Sequence, residues 1–126
     1  MFQQTKPADR SKGVSPIQVR IPTTDSNVLS CAAILWFLNA SGGYSASDEF
    51  QNADLCPGPA KETNASRDKT DRYYLELHVI KREQPKAASV RVVIEHGGQE
   101  LYSATESLSA DGPRLGYFEY RIDVTK

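Results

Sequence analysis

Two histidines, two cysteines and a few carboxylates are the side chains of this chain best equipped for chemistry. A histidine that acts as a base or metal ligand needs partners that converge on it. His78 falls on the Tyr74/Glu76/Ile80 face of an alternating run, and His96 precedes Gly97-Gly98. Both read as solvent-facing strand and turn residues. The adjacent Asp48-Glu49 carboxylates sit in a polar stretch and read as solvated. No Gly-x-Ser-x-Gly elbow, phosphate-binding loop or dinucleotide fingerprint is present. The expectation is a non-enzymatic chain with no catalytic residue, no metal site and no cofactor.

Cys31 and Cys56 are the only cysteines. One pair in a chain of this size suits a disulfide formed in an oxidising compartment. Closing that loop would contribute roughly 3.5 kcal/mol in the chain-entropy model. The alternative is two thiols, with Cys31 a plain core residue inside the run Cys31-Ala32-Ala33-Ile34-Leu35-Trp36-Phe37-Leu38. Neither cysteine has a second Cys or His at metal-ligand spacing.

The candidate contact residues are of two kinds. Asn39-Ala40-Ser41-Gly42-Gly43-Tyr44-Ser45-Ala46 follows the most apolar run. Glycine allows close backbone approach, Tyr supplies amphipathic area and Ser supplies hydrogen bonds. Ser41, Gly42, Gly43 and Tyr44 are therefore candidate binding residues. This stretch resembles the Ser-Gly-x-x-Tyr loop with which small periplasmic β-barrel lysozyme inhibitors plug their target. The resemblance covers about six residues and implies Ser41 and Tyr44 as the contacts. The order of elements departs from that family, because a long loop follows and most strands come after it. Tyr74 and Tyr117 are the second kind, aromatics on the wet face of a sheet beside charged residues. Asn39-Ala40-Ser41 and Asn64-Ala65-Ser66 also fit the N-glycosylation pattern, which arises easily in Ser-rich loops.

The elements that must hold these residues are strands. The run 72–82 puts Tyr73, Leu75, Leu77 and Val79 on one face; 89–95 puts Val90, Val92 and Ile94 on one face. The run 115–124 puts Phe118, Tyr120, Ile122 and Val124 inward, with Tyr117, Glu119, Arg121 and Asp123 outward. Such alternation serves a sheet with one dry face. Ile17–Ile21 reads as a short first strand stopped by Pro22, and 28–38 as a central strand, with a buried helix ended by Gly42 as the alternative. Thr23 to Asn27 is turn-like, with residues able to cap a helix. Asn39 to Asp71 is long and irregular, with room for a short helix around Ser47–Ala53. His96-Gly97-Gly98 signals a hairpin, while Gln84-Pro85-Lys86 and Ala110-Asp111-Gly112-Pro113 mark further turns. The last 55 residues read as a meander.

The expected fold is mainly β: an antiparallel sandwich or open barrel of about six to eight strands, with at most one short helix. Residues 1–15 are expected to be a flexible N-terminal tether and 16–126 a single β-rich domain. At 126 residues, one core is affordable. The 15 basic and 16 acidic residues nearly cancel, which argues against nucleic acid as a partner. No apolar run reaches the roughly 18 residues of a membrane span. Met1 to Pro7 lacks the apolar region of a signal peptide. The start is therefore either cytoplasmic or that of a mature exported domain with a replacement Met; the polar tether and cysteine pair favour a periplasmic, secreted or membrane-tethered location. The expected function is binding another protein through the 39–55 loop or the Tyr-bearing sheet face. The alternatives are a lysozyme-type inhibitor inserting Ser41–Tyr44, a virus or phage structural subunit, and a small barrel holding an apolar ligand. An edge strand such as 17–21 also leaves room for self-association.

Overall fold

The computed structural model describes residues 2–9, 17–39, 41–46, 53–54, 61–63 and 72–125. Among them are eleven strands and no helix: β1 Phe2–Gln4, β2 Ala8–Asp9, β3 Ile17–Arg20, β4 Val28–Leu38, β5 Tyr44–Ala46, β6 Ala53–Asp54, β7 Lys61–Thr63, β8 Arg72–Lys81, β9 Ala88–His96, β10 Gln99–Leu108 and β11 Leu115–Thr125. The first sheet runs β1-β11-β8-β4-β5, with β2 also on β11 and β6 also on β4; the second runs β10-β9-β3-β7. The β-sandwich class is as expected. No helix among the described residues is long and apolar enough to cross a membrane.

Alternation sets the core. Cys31, Ala33 and Leu35 of β4, Tyr73, Leu75, Leu77 and Val79 of β8, and Tyr120 and Ile122 of β11 are buried on the inner side of the first sheet. Ile17 and Val19 of β3 and Val90, Val92 and Ile94 of β9 answer them from the second. Each fully buried aliphatic contributes about 1.5–3 kcal/mol relative to exposure. Strand β4 is apolar at nearly every position because its outer residues Ala32, Ile34 and Trp36 are themselves half-buried.

The meander expectation holds only for β9–β10. Gly97 and Gly98, with φ of 56° and 80°, form the two-residue turn between them. Elsewhere the chain changes sheets: β8 to β9 through residues 82–87, and β10 to β11 through 109–114, after which β11 returns to pair with β8. A two-residue turn cannot span the roughly 10 Å between packed sheets, so these longer connections carry the crossings. Asn27, within the stretch read as turn-like, organises the first crossing. Its Nδ2 donates to the carbonyls of Glu83, Lys86 and Ala87, and its Oδ1 accepts from Glu83 N. The second crossing rests on Lys81, whose side chain is fully buried. Its Nζ donates to Ser109 O at 2.9 Å and Gly112 O at 3.2 Å, and Arg114 Nε donates to Lys81 O.

Three further expectations need correction. The tether assigned to residues 1–15 is structured over 2–9, where β1 and β2 pair in parallel with β11 and bury Thr5 and Ala8; residues 10–16 lie outside the described residues. Of the possible helix at Ser47–Ala53, residues 47–52 lie outside the described residues, and Ala53 belongs to β6, paired with β4. His96 is buried rather than solvent-facing, because it continues the inward series of Val90, Val92 and Ile94 before the turn begins.

Strand β10 carries a bulge between Glu100 and Tyr102, which turns Tyr102 and Glu106 inward opposite Ile94 and Val90. The Glu106 side chain is only 9% exposed. It accepts from Tyr120 Oη at 2.6 Å, from Tyr102 Oη at 3.4 Å and from Gln3 Nε2. The single Tyr102 phenol proton is shared, and its shorter contact is to Gln3 Oε1 at 2.6 Å. Burial, then the Glu106 carboxylate, push the Tyr120 phenol far above its ordinary value; Tyr102 shifts the same way for the same reasons.

Because the folded phenol titrates above the unfolded one, the contribution of Tyr120 is complete below about pH 10 and is lost as pH rises through the folded value. Tyr120→Phe should lower stability by about 2 kcal/mol at neutral pH, since a buried carboxylate loses a donor. The variant should also lose stability less steeply above about pH 10. Urea melts at pH 8 and pH 11 check both points; equal steepness in the two proteins would refute the second. At Gly116 an added Cβ would collide with Leu108 Cδ2, and Leu108 Cγ would lie at 3.0 Å. Gly116→Ala should therefore cost about 1–3 kcal/mol as Leu108 is displaced, read as a drop in denaturant midpoint.

Candidate functional site

The β4–β5 hairpin is built by Asn39. Its Oδ1 accepts from Ser41 N at 3.1 Å, Ser41 Oγ at 2.7 Å and Gly43 N at 3.1 Å, and its Nδ2 donates to Ser45 Oγ at 3.0 Å. Asn39 N donates to Gly43 O, and Gly42 N to Asn39 O. Gly42 has a φ of 89°, which glycine adopts without strain. Ser41, Gly42 and Gly43 are exposed in this tight turn, but the Ser41 hydroxyl is engaged by Asn39 rather than offered outward. The sequon at Asn39 thus has its amide folded into the loop; Asn64 lies outside the described residues.

Tyr44 does not stand at the hairpin tip. It pairs with Leu38 at the start of β5 and lies on the outer face of the first sheet. Its ring meets that of Tyr74 at a centroid distance of 4.8 Å. Burial, then hydrogen bonding with Tyr74, raise its phenol, while Arg72 opposes the shift. Tyr117 pairs with His78 across β8 and β11, their rings edge to face at 4.8 Å. The structure therefore brings Tyr44, Tyr74 and Tyr117, drawn from two separate sequence features, onto one face. Trp36, opposite both Tyr74 and Ala46, shares it. Its indole N–H is buried and finds no acceptor among the described residues.

The charged border of this face is ordered. Arg72 Nε donates to Asp123 Oδ1 at 2.9 Å and Arg121 Nε to the same oxygen at 3.2 Å. Burial alone would raise the Asp123 carboxyl, but these two guanidinium contacts prevail and hold it below its ordinary value. Farther along, Glu76 stands directly opposite Glu119, and His78 Nε2 lies 3.3 Å from Glu76. Among the described residues, no group of three His, Cys, Asp or Glu side chains could hold a metal ion.

Cys31 points inward, is buried, and is disulfide-bonded rather than free. The partner expected for it, Cys56, lies outside the described residues. The groups missed in the sequence are Trp36, Lys81, Glu106 and Gln3. Lys81 shares the parity of Leu77 and Val79, so alternation could have exposed it. Glu106 could not be read that way, because the bulge in β10 resets the parity.

No family model, curated protein or solved structure matches this chain. Asn39→Ala should cost about 1–2 kcal/mol and speed hydrogen exchange at the Gly43 amide. Unchanged exchange at that amide would show that Asn39 does not hold the hairpin.

Proposed function

We propose that this is a non-enzymatic, exported or envelope-associated domain that binds another protein through the outer face of its first sheet. One observation carries the reading. The large apolar side chains left exposed among the described residues are Leu29, Tyr44, Leu115 and Tyr117, and the last three share this face. Tyr117 is 60% exposed, far more than cross-strand packing needs. Aromatics that combine a rigid apolar body with a polar tip, bordered by ordered charges, make the usual anchors of a protein contact. The hairpin extends the face through Tyr44, so the 39–46 loop and the sheet act as one surface. The bonded Cys31 supports an oxidising location, with Cys56 as its proposed partner.

The test is differential capture from an envelope extract of the source organism. The intact domain and a Thr105→Ala control on the second sheet should retain the same partner. The double variant Tyr44→Ser/Tyr117→Ser should lose it by about thirty-fold or more, as expected when two anchors are removed. Exposed substitutions of this kind leave stability within about 0.5 kcal/mol. Equal retention by the double variant would move the contact surface elsewhere.

A further inference from the structure

The N-terminal strap, residues 2–9, closes the seam between the two sheets. It lies on β11 of the first sheet and touches β10 of the second: Thr5 N donates to Arg121 O at 3.2 Å, and Lys6 N donates to Leu101 O at 2.9 Å. Without it, β11 would be an open edge of the first sheet, beside the β10 edge of the second. Open edges are templates for pairing with another strand.

Two observations make the strap readily released. First, the hold of its described side chains is polar. Gln4 Nε2 donates to Arg121 O and Asp123 Oδ2, whereas Ala8 is the one buried apolar side chain described in the strap. Its pairing strands are three and two residues long. Backbone and amide hydrogen bonds exchange for water at little net cost, so such a segment opens more easily than one anchored by large apolar groups. Second, seating Gln3 encloses the Glu106 carboxylate among uncharged donors, namely Gln3, Tyr102 and Tyr120. With no cation beside it among the described residues, the carboxylate depends on those neutral donors in place of water, and release of the strap lets water back to it.

We propose that the strap exchanges between copies of this chain: residues 2–9 of one copy seat on β11 of another and complete its seam. A second copy is the fitting occupant because its strap carries the same Gln3, Thr5 and Ala8, and so reproduces every contact. Residues 10–16, which include Gly13 and Pro16, connect the strap to β3 and reach about 25 Å when extended. That length lets the strap leave its own seam while β3 stays in its sheet. Swapping an identical element needs no new interface chemistry.

The test uses the full chain and a fluorescent peptide of residues 1–10. The peptide should bind one per chain and displace the resident strap, while a scrambled peptide should not bind. An Ala8→Asp peptide should bind at least about ten-fold more weakly. Mixed light and heavy isotope preparations, concentrated and then diluted, should yield mixed dimers by native mass spectrometry. Glu106→Gln keeps the acceptor oxygen and removes the charge, so it should slow peptide uptake by roughly ten-fold without lowering the melting temperature. Absence of peptide uptake on warming toward the melting transition would overturn the proposal. Uptake without mixed dimers would overturn it too, since the exchange would not be between copies. An uptake rate unaffected by Glu106→Gln would remove the carboxylate as the reason the strap lets go.

Discussion

Every long strand here has one dry face, and two sheets must meet to keep those faces dry. The chain satisfies this by changing sheets between successive strands, at residues 82–87 and 109–114, instead of folding back on itself each time. The apolar residues of β8 and β11 thereby face those of β9 and β3. Both crossings require polar chain to pass the rim of an apolar core. Asn27 and Lys81 satisfy the carbonyls that would otherwise be stranded there. Such groups lie where the fold is made, although neither is hydrophobic.

The polar content of the interior is concentrated rather than scattered. The Glu106 carboxylate gathers side chains from the strap, from its own strand β10 and from β11, so one acceptor joins the strap to the last two strands. A buried polar group of this kind adds less to stability than its geometry suggests, because its hydration has been given up. Its effect is on specificity: only one seating of the strap brings Gln3 to both Glu106 and Tyr102. On the opposite side of the first sheet, charge and aromatic rings are laid out along the surface. Asp123 shared by two arginines fixes one border, and the rings of Tyr44, Tyr74, His78 and Tyr117 occupy two neighbouring pairs.

Much of the fold was legible because alternation is a local property. Strands β8, β9 and β11 and their inner faces follow from parity alone, whereas for 28–38 the flanking residues favour a helix and only its apolar content and the need for a covered inner strand favour β4. Pairing is not local. Nothing in Phe2–Asp9 announces a parallel partner more than a hundred residues away, and short strands with few apolar residues look like a tether. The bulge in β10 hid Glu106 by shifting parity within a single strand. The surface residues Tyr44, Tyr74 and Tyr117 were recognisable by type, but their convergence was not. It depends on β4 carrying both the hairpin to β5 and the pairing with β8.

The parallel course of β1 has a practical side. Phe2 lies across from Glu119, only two residues along β11 from Tyr117. The Phe2 end of β1 therefore lies toward the Tyr117 end of the aromatic face. Any tag, label or surface linkage placed there begins next to the side chains whose accessibility is in question, and would mask them. Thr125 lies two residues beyond Asp123, at the Arg72 border of the same face, so the two ends of β11 bear on different parts of it, and the point at which this domain is held governs what it can be seen to bind.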